Sequence, residues 1–185
     1  MKAIKLFSVI TFFCFGAFLT KSNAQVDVTI NPIGILFGNM NVGADFGITE
    51  NISLEASVGY FSRKSGGYKF TAFPLIATGK YYFNPDKGCD KFYADVFLKY
   101  FTWNFKDKDN SGLDEYSQTR FGGGFGIGYK IVSQKGFVFD IGGGIGRAIV
   151  DKVKYEDGSN NVDEVDVVNV MGNFKLGIGY RFGGK

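Results

Sequence analysis

The chain has 185 residues, 21 basic and 18 acidic, with two cysteines and no histidine. This length suits one domain, and two cysteines exclude a disulfide-dense scaffold. The missing histidine removes the side chain used most often as a general base, and a formal net charge of +3 is too small to mark a nucleic-acid-binding chain.

Residues 1–24 read as a secretory leader. Lys2 and Lys5 form a basic start, Leu6 to Leu19 an apolar run, and Ser22-Asn23-Ala24 a small-residue cleavage site. The run is short for a transmembrane helix. Cleavage after Ala24, following Sec export, is expected. Three basic residues, Lys2, Lys5 and Lys21, leave with the leader and no acid does, so 18 of each sign remain. Cys14 leaves too, and Cys89 is then without an intramolecular disulfide partner. Residues 25–185 form one domain.

Eight segments follow that alternate with period 2: 25–36, 40–49, 52–62, 67–84, 91–106, 116–132, 136–154 and 164–182. Beyond the leader, no stretch carries a helical period. Thr49-Glu50-Asn51, Asn84 to Asp90 and Ser133-Gln134-Lys135 connect segments at one end. Arg63 to Gly66, Asp107 to Glu115 and Glu156 to Asp163 connect them at the other, and these are mostly longer and more polar. Short turns on one side and long loops on the other are the asymmetry of an antiparallel up-and-down transmembrane β-barrel. A membrane strand needs about 9–11 residues, so the later segments are expected to project beyond the bilayer on the long-loop side. Arg147 falls on the lipid-facing register near the outer interface. There it would meet anionic lipid phosphates, unless a bulge turns it inward.

The last segment shows the alternation best. Phe174, Leu176, Ile178, Tyr180 and Phe182 share one face, while Asn173, Lys175, Gly177, Gly179 and Arg181 share the other. A membrane barrel turns the first face to lipid and the second to the lumen. Applied to every strand, this rule sends Asp27, Asp45, Glu55, Lys80, Asp95, Lys130, Asp140 and Arg181 inward near the short-turn end. Lys99 and Lys175 lie further up. From the third strand onward the signs alternate around the ring. Neighbouring strands lie about 4.8 Å apart, so pairing between neighbours, Lys80 with Glu55 and Asp95 among them, is expected. The expected result is a lumen plugged by ion pairs.

The glycine runs Gly122-Gly123-Gly124-Phe125-Gly126 and Gly142-Gly143-Gly144-Ile145-Gly146 lack the helix that a phosphate-binding loop requires. Their even-numbered glycines face inward and make room in a narrow lumen. Ser53 and Ser57 face inward beside Glu55, with no activating base. No catalytic residue, cofactor or metal is assigned. Asp107-Lys108-Asp109-Asn110-Ser111-Gly112 matches the opening of a calcium loop, but Gln118 stands at the twelfth position and strands flank it.

Lys175-x-Gly177-x-x-Tyr180-x-Phe182 resembles the C-terminal signal read by the barrel-assembly machinery. With Asn31-Pro32-Ile33-Gly34, Ser53-Leu54-Glu55 and Gly79-Lys80-Tyr81-Tyr82-Phe83, the chain resembles small eight-stranded outer-membrane barrels, OmpA/OmpX-like, of Bacteroidetes-type bacteria. The resemblance implies an all-β, eight-stranded barrel in the cell outer membrane. Its partners would be outer-membrane lipid and lipopolysaccharide, the assembly machinery during biogenesis, and an extracellular protein. It implies no catalytic or binding residue. A structural or surface-interaction role is the first expectation. A narrow porin-like channel and a secreted soluble lipid-binding barrel are the alternatives.

Overall fold

The computed structural model describes residues 25–65, 68–107, 115–155 and 169–183. The leader expected over 1–24 lies outside the described residues, and so does most of the calcium-like loop, 108–114. The strands are β1 (Val26–Ile30), β2 (Asn39–Gly47), β3 (Ile52–Ser65), β4 (Tyr68–Tyr82), β5 (Lys91–Asp107), β6 (Tyr116–Val132), β7 (Phe137–Tyr155) and β8 (Val170–Phe182). Each runs antiparallel to the next, and β1 closes the barrel on β8.

The alternation sorts side chains as a membrane requires. Leu98, Phe125, Ile127 and Ile145 are 55 to 73% exposed on the outside, while Lys80, Lys130 and Asp140 are at most 2% exposed in the lumen. A soluble barrel would do the reverse. Aromatics mark both edges of the apolar band. Tyr81, Phe83, Phe92, Phe137, Tyr180 and Phe182 lie at the short-turn end, many in edge or tilted contact. Tyr60, Phe73, Tyr100 and Phe121 lie exposed about eight residues higher. Eight residues span about 26 Å along a strand, which tilt reduces to about the height of an outer-membrane hydrocarbon layer.

Three sequence expectations are corrected. Strand one does not run to residue 36. It ends at Ile30, and Pro32–Leu36 form a short helix, α1. Pro32 has no N–H to give a ladder, and the Asn31 side chain caps the turn by accepting from the Gly34 N–H at 2.8 Å. The expectation of no helix beyond the leader fails at the same place. The third correction concerns β7. Phe121 lies opposite Val150 but Gly122 lies opposite Ala148, so Ile149 is an extra residue. This bulge reverses the facing of everything above it. Arg147, below the bulge, stays exposed on the lipid side, whereas Asp151, above it, is buried.

Candidate functional site: a charged network across the lumen

The inward positions of seven strands meet near the short-turn end. Arg181 on β8 grips Asp27 on β1 with two contacts, Nε to Oδ1 at 2.6 Å and a terminal nitrogen to Oδ2 at 2.8 Å. Lys130 on β6 donates to the same Asp27 at 2.8 Å and to Asp45 on β2 at 2.6 Å. Lys80 on β4 bonds Asp45 at 2.9 Å, Asp140 on β7 at 3.0 Å, and Glu55 on β3. Lys175 on β8 bonds Asp140 at 2.5 Å and also Glu55. Four cations and four anions thus form one unbroken alternating chain. Tyr82 donates to Asp45 at 3.2 Å and Tyr93 to Asp140 at 2.8 Å. Their rings also face cations, Lys130 over Tyr82 at 5.1 Å and Lys80 over Tyr93 at 4.8 Å.

Eight of the ten residues expected in the lumen network are brought together here. Two are not. Asp95 lies opposite Lys80 in the β4–β5 register, yet no cation pairs with it among the described residues, and its Oδ1 is buried without a hydrogen-bond partner. Among the described residues Lys99 reaches no acid and donates instead to the Gly172 carbonyl at 2.8 Å. The expected pairing rule is also corrected. Lys130 stands opposite Asp140 and Lys80 opposite Asp95, but both lysines leave these neighbours for acids on other strands. Among the ten, only Asp27 and Arg181 pair directly across a register, while the expected Lys80–Glu55 pair, and Lys175 with Asp140, do join adjacent strands on the diagonal. In an eight-stranded barrel, side chains fill the interior. Long lysines therefore converge at the axis, where several carboxylates are offered at once.

Asp45, Glu55 and Asp140 offer oxygens within 4.8 Å of one another, an arrangement that can hold a metal. The Lys80 ammonium stands in bonding contact with all three and supplies the positive charge that they need.

The glycine faces permit this packing. A Cβ at Gly142 would sit 2.6 Å from the Tyr93 hydroxyl, and one at Gly144 2.9 Å from the Phe97 ring. A side chain at Gly142 would drive Tyr93 off Asp140, and one at Gly144 would press on Phe97.

Sequence reasoning missed three features. Tyr82 and Tyr93 were legible as inward aromatics beside the charges. The 83–90 turn was not legible as a cover. It folds under the network, where Arg181 donates to the carbonyls of Lys87 and Gly88 at 2.8 Å each, and Gln25 to that of Gly88 at 2.8 Å. Lys87 reaches the Val132 carbonyl at 2.6 Å, and the Cys89 N–H the Glu50 carbonyl at 2.7 Å. Asn84 and Cys89 adopt φ of 50° and 45°, and Gly88 68°. Cys89, Tyr82 and Tyr93 form the buried apolar floor. Burial pushes the Cys89 thiol up to about 11.

The third feature is a second polar cluster nearer the long-loop end. Trp103 donates to Gln118 at 2.9 Å, Gln118 to Asp151 at 2.6 Å, and Arg120 to Asp151 at 2.7 Å. The uninterrupted apolar run Ala148-Ile149-Val150 was the sequence signal of the bulge that brings Asp151 inward.

Of the assembly-signal residues, Lys175 and Gly177 face the lumen, and Tyr180 and Phe182 the lipid side.

The fold is similar to that of a major outer membrane protein from Thermus thermophilus. The TM-score is 0.53 at 13% identity, over 86% of this chain and 99% of that one. Ail, the attachment invasion locus protein of Yersinia pestis, aligns over 86% of this chain and 94% of its own, with a TM-score of 0.45 and 14% identity. No curated protein matches the chain. The barrel is thus of the outer-membrane kind in strand number, connectivity and facing. Over residues 9–182 the chain matches the family described as "Protein of unknown function (DUF3575)", and it belongs to that family.

Proposed function

We propose that this protein is a closed outer-membrane barrel whose lumen charges are structural and whose projecting β4–β7 sheet is its working surface. The carrying observation is the unbroken chain from Arg181 to Lys175, covered from below by the 83–90 turn. A solute would have to displace both. Buried charges are costly unless paired, and here each of the eight has at least one partner of opposite sign. No acid–base role is assigned to the carboxylates, because each is already bound to ammonium or guanidinium groups. Residues 1–24 would direct export, and Lys175, Gly177, Tyr180 and Phe182 would serve the assembly machinery. Lipopolysaccharide would surround the outer band, with Arg147 against its phosphates, and an extracellular protein would dock on the projecting strands.

Planar-bilayer recording on refolded protein tests this reading. The expected result is no steady conductance in the wild type. Sustained ohmic openings would establish the porin-like alternative instead.

A further inference from the structure

Above the charged network lies a cavity of about 70 Å3. Glu55, Lys80 and Tyr93 contribute to its lining from below, and Asp95 and Lys175 from the sides. Its lining also includes Ile30, Phe174 and Leu176, which belong to the lipid-facing register. A lining that takes residues from both registers of β1 and β8 places the cavity against the β1–β8 wall, where the strand pairing leaves an opening.

The strand pairing explains the opening. β1 stops at Ile30, opposite Ile178, and β8 continues upward to Val170. Over that stretch no strand pairs with β8 on its β1 side among the described residues; α1 packs nearby instead. The Arg181 N–H and the Asn169 carbonyl both bond towards the β7 side. Main-chain groups of a strand alternate between its two sides. Val170, Gly172, Phe174 and Leu176 therefore present theirs to the open side. Lys99 satisfies the Gly172 carbonyl. The others have no main-chain partner there among the described residues. Hydrocarbon does not tolerate such an edge unless it borders a wet cavity or protein.

The charge of the cavity is equally specific. The network's four cations and four anions balance in charge, leaving the Asp95 carboxylate without an ion-pair partner among the described residues; its Oδ1 on the cavity wall, like the Asp45 Oδ1 within the network, is buried without a hydrogen-bond partner. Lys99, the inward cation on the same strand, is held at Gly172. Asn39, Asn41 and Asn173 add amide groups to the lining. The site thus lacks one cationic hydrogen-bond donor, is open towards the outer half of the membrane, and is apolar at its mouth.

We propose that this slot binds an amphiphile with a protonated amine headgroup. The ammonium sits against Asp95 and the asparagine amides. The alkyl chain leaves past Phe174 and Ile30 into the outer leaflet. No conduction is required, so this reading and the closed-barrel reading stand or fall separately.

The test uses refolded barrel in phosphatidylcholine vesicles and an undecylamine carrying a dansyl group at its far end. Trp103, the single tryptophan of the chain, is the energy donor. The expected result is saturable transfer with the amine probe and none with the matching carboxylate probe. Asp95→Asn keeps the shape and removes the charge, and affinity should fall about tenfold, as for loss of one charged hydrogen bond. Ser57→Leu, which adds apolar bulk to the cavity lining and removes no charge, should weaken the same binding. Competition by phosphatidylethanolamine would identify a lipid headgroup as the amine source; its absence would identify a free alkylamine. Non-saturable transfer, equal binding of the carboxylate probe, or affinity unchanged in both variants would overturn the proposal.

Discussion

Lys80→Met removes one ammonium from the centre of the lumen while keeping most of the side-chain volume. Lys80 is 2% exposed and contacts Asp45, Glu55 and Asp140. Removing one partner of a buried pair typically costs about 3–5 kcal/mol, because the survivor is left charged in a poor solvent. Here no survivor is left bare. Asp45 keeps Lys130 and Tyr82, while Glu55 and Asp140 keep Lys175. The loss should therefore lie near the low end, about 3 kcal/mol, and reflect three cations facing four anions. Urea unfolding in vesicles, followed by Trp103 fluorescence, measures it. The variant also vacates the centre of three carboxylates whose oxygens lie within 4.8 Å of one another. Millimolar calcium or magnesium should restore part of the lost stability to the variant and leave the wild type unchanged. Lys91→Met, which removes an exposed pair with Asp86, is the control for charge loss alone and should behave as wild type. Wild-type stability of Lys80→Met, with no response to divalent cations, would refute the idea that Lys80 acts as the tethered cation of this site.

Cys89 should resist maleimide from either side of the membrane at pH 8 and react once the barrel is unfolded. Its folded thiol titrates near 11 rather than near the ordinary 9.0, so the unfolded chain loses this proton first. Stability should accordingly fall as pH rises from about 9 towards 11, and Cys89→Ser should flatten that slope. Arg181→Lys should keep the charge but lose the two-point grip on Asp27 and the carbonyl contacts to Lys87 and Gly88; faster Cys89 labelling would report the loosened cover, and unchanged labelling would show that Arg181 does not hold it. Tyr180→Ala with Phe182→Ala should lower the yield of heat-modifiable barrel in the membrane, and full yield would remove these aromatics from the assembly signal. In intact cells, cysteine at Lys64 should label and cysteine at Gln134 should not; the reverse pattern would invert the barrel.

The sequence by itself determined the eight strands and which face of each meets lipid. Both follow from a period-2 pattern that local chain geometry enforces, residue by residue. The same parity put all ten charged residues inward, including the eight that meet in one network. It could not say which lysine meets which acid. That depends on the barrel's closure, which brings strands distant in sequence to one axis and lets Lys80 pass over Asp95 to reach Asp45 and Asp140. Closure likewise decided that Asp95 and Lys99 stay outside the network. The bulge at Ile149 is a pairing event, visible only against β6, and it alone sends Asp151 inward. The helix at Pro32 was written locally, in an asparagine cap followed by proline, but an apolar stretch such as Ile33 to Phe37 reads equally well as strand. The 83–90 turn was predicted only as a short connection. Its role as a floor depends on carbonyls that point at Arg181 only after β8 has closed against β1, which is a property of the assembled barrel and of no segment within it.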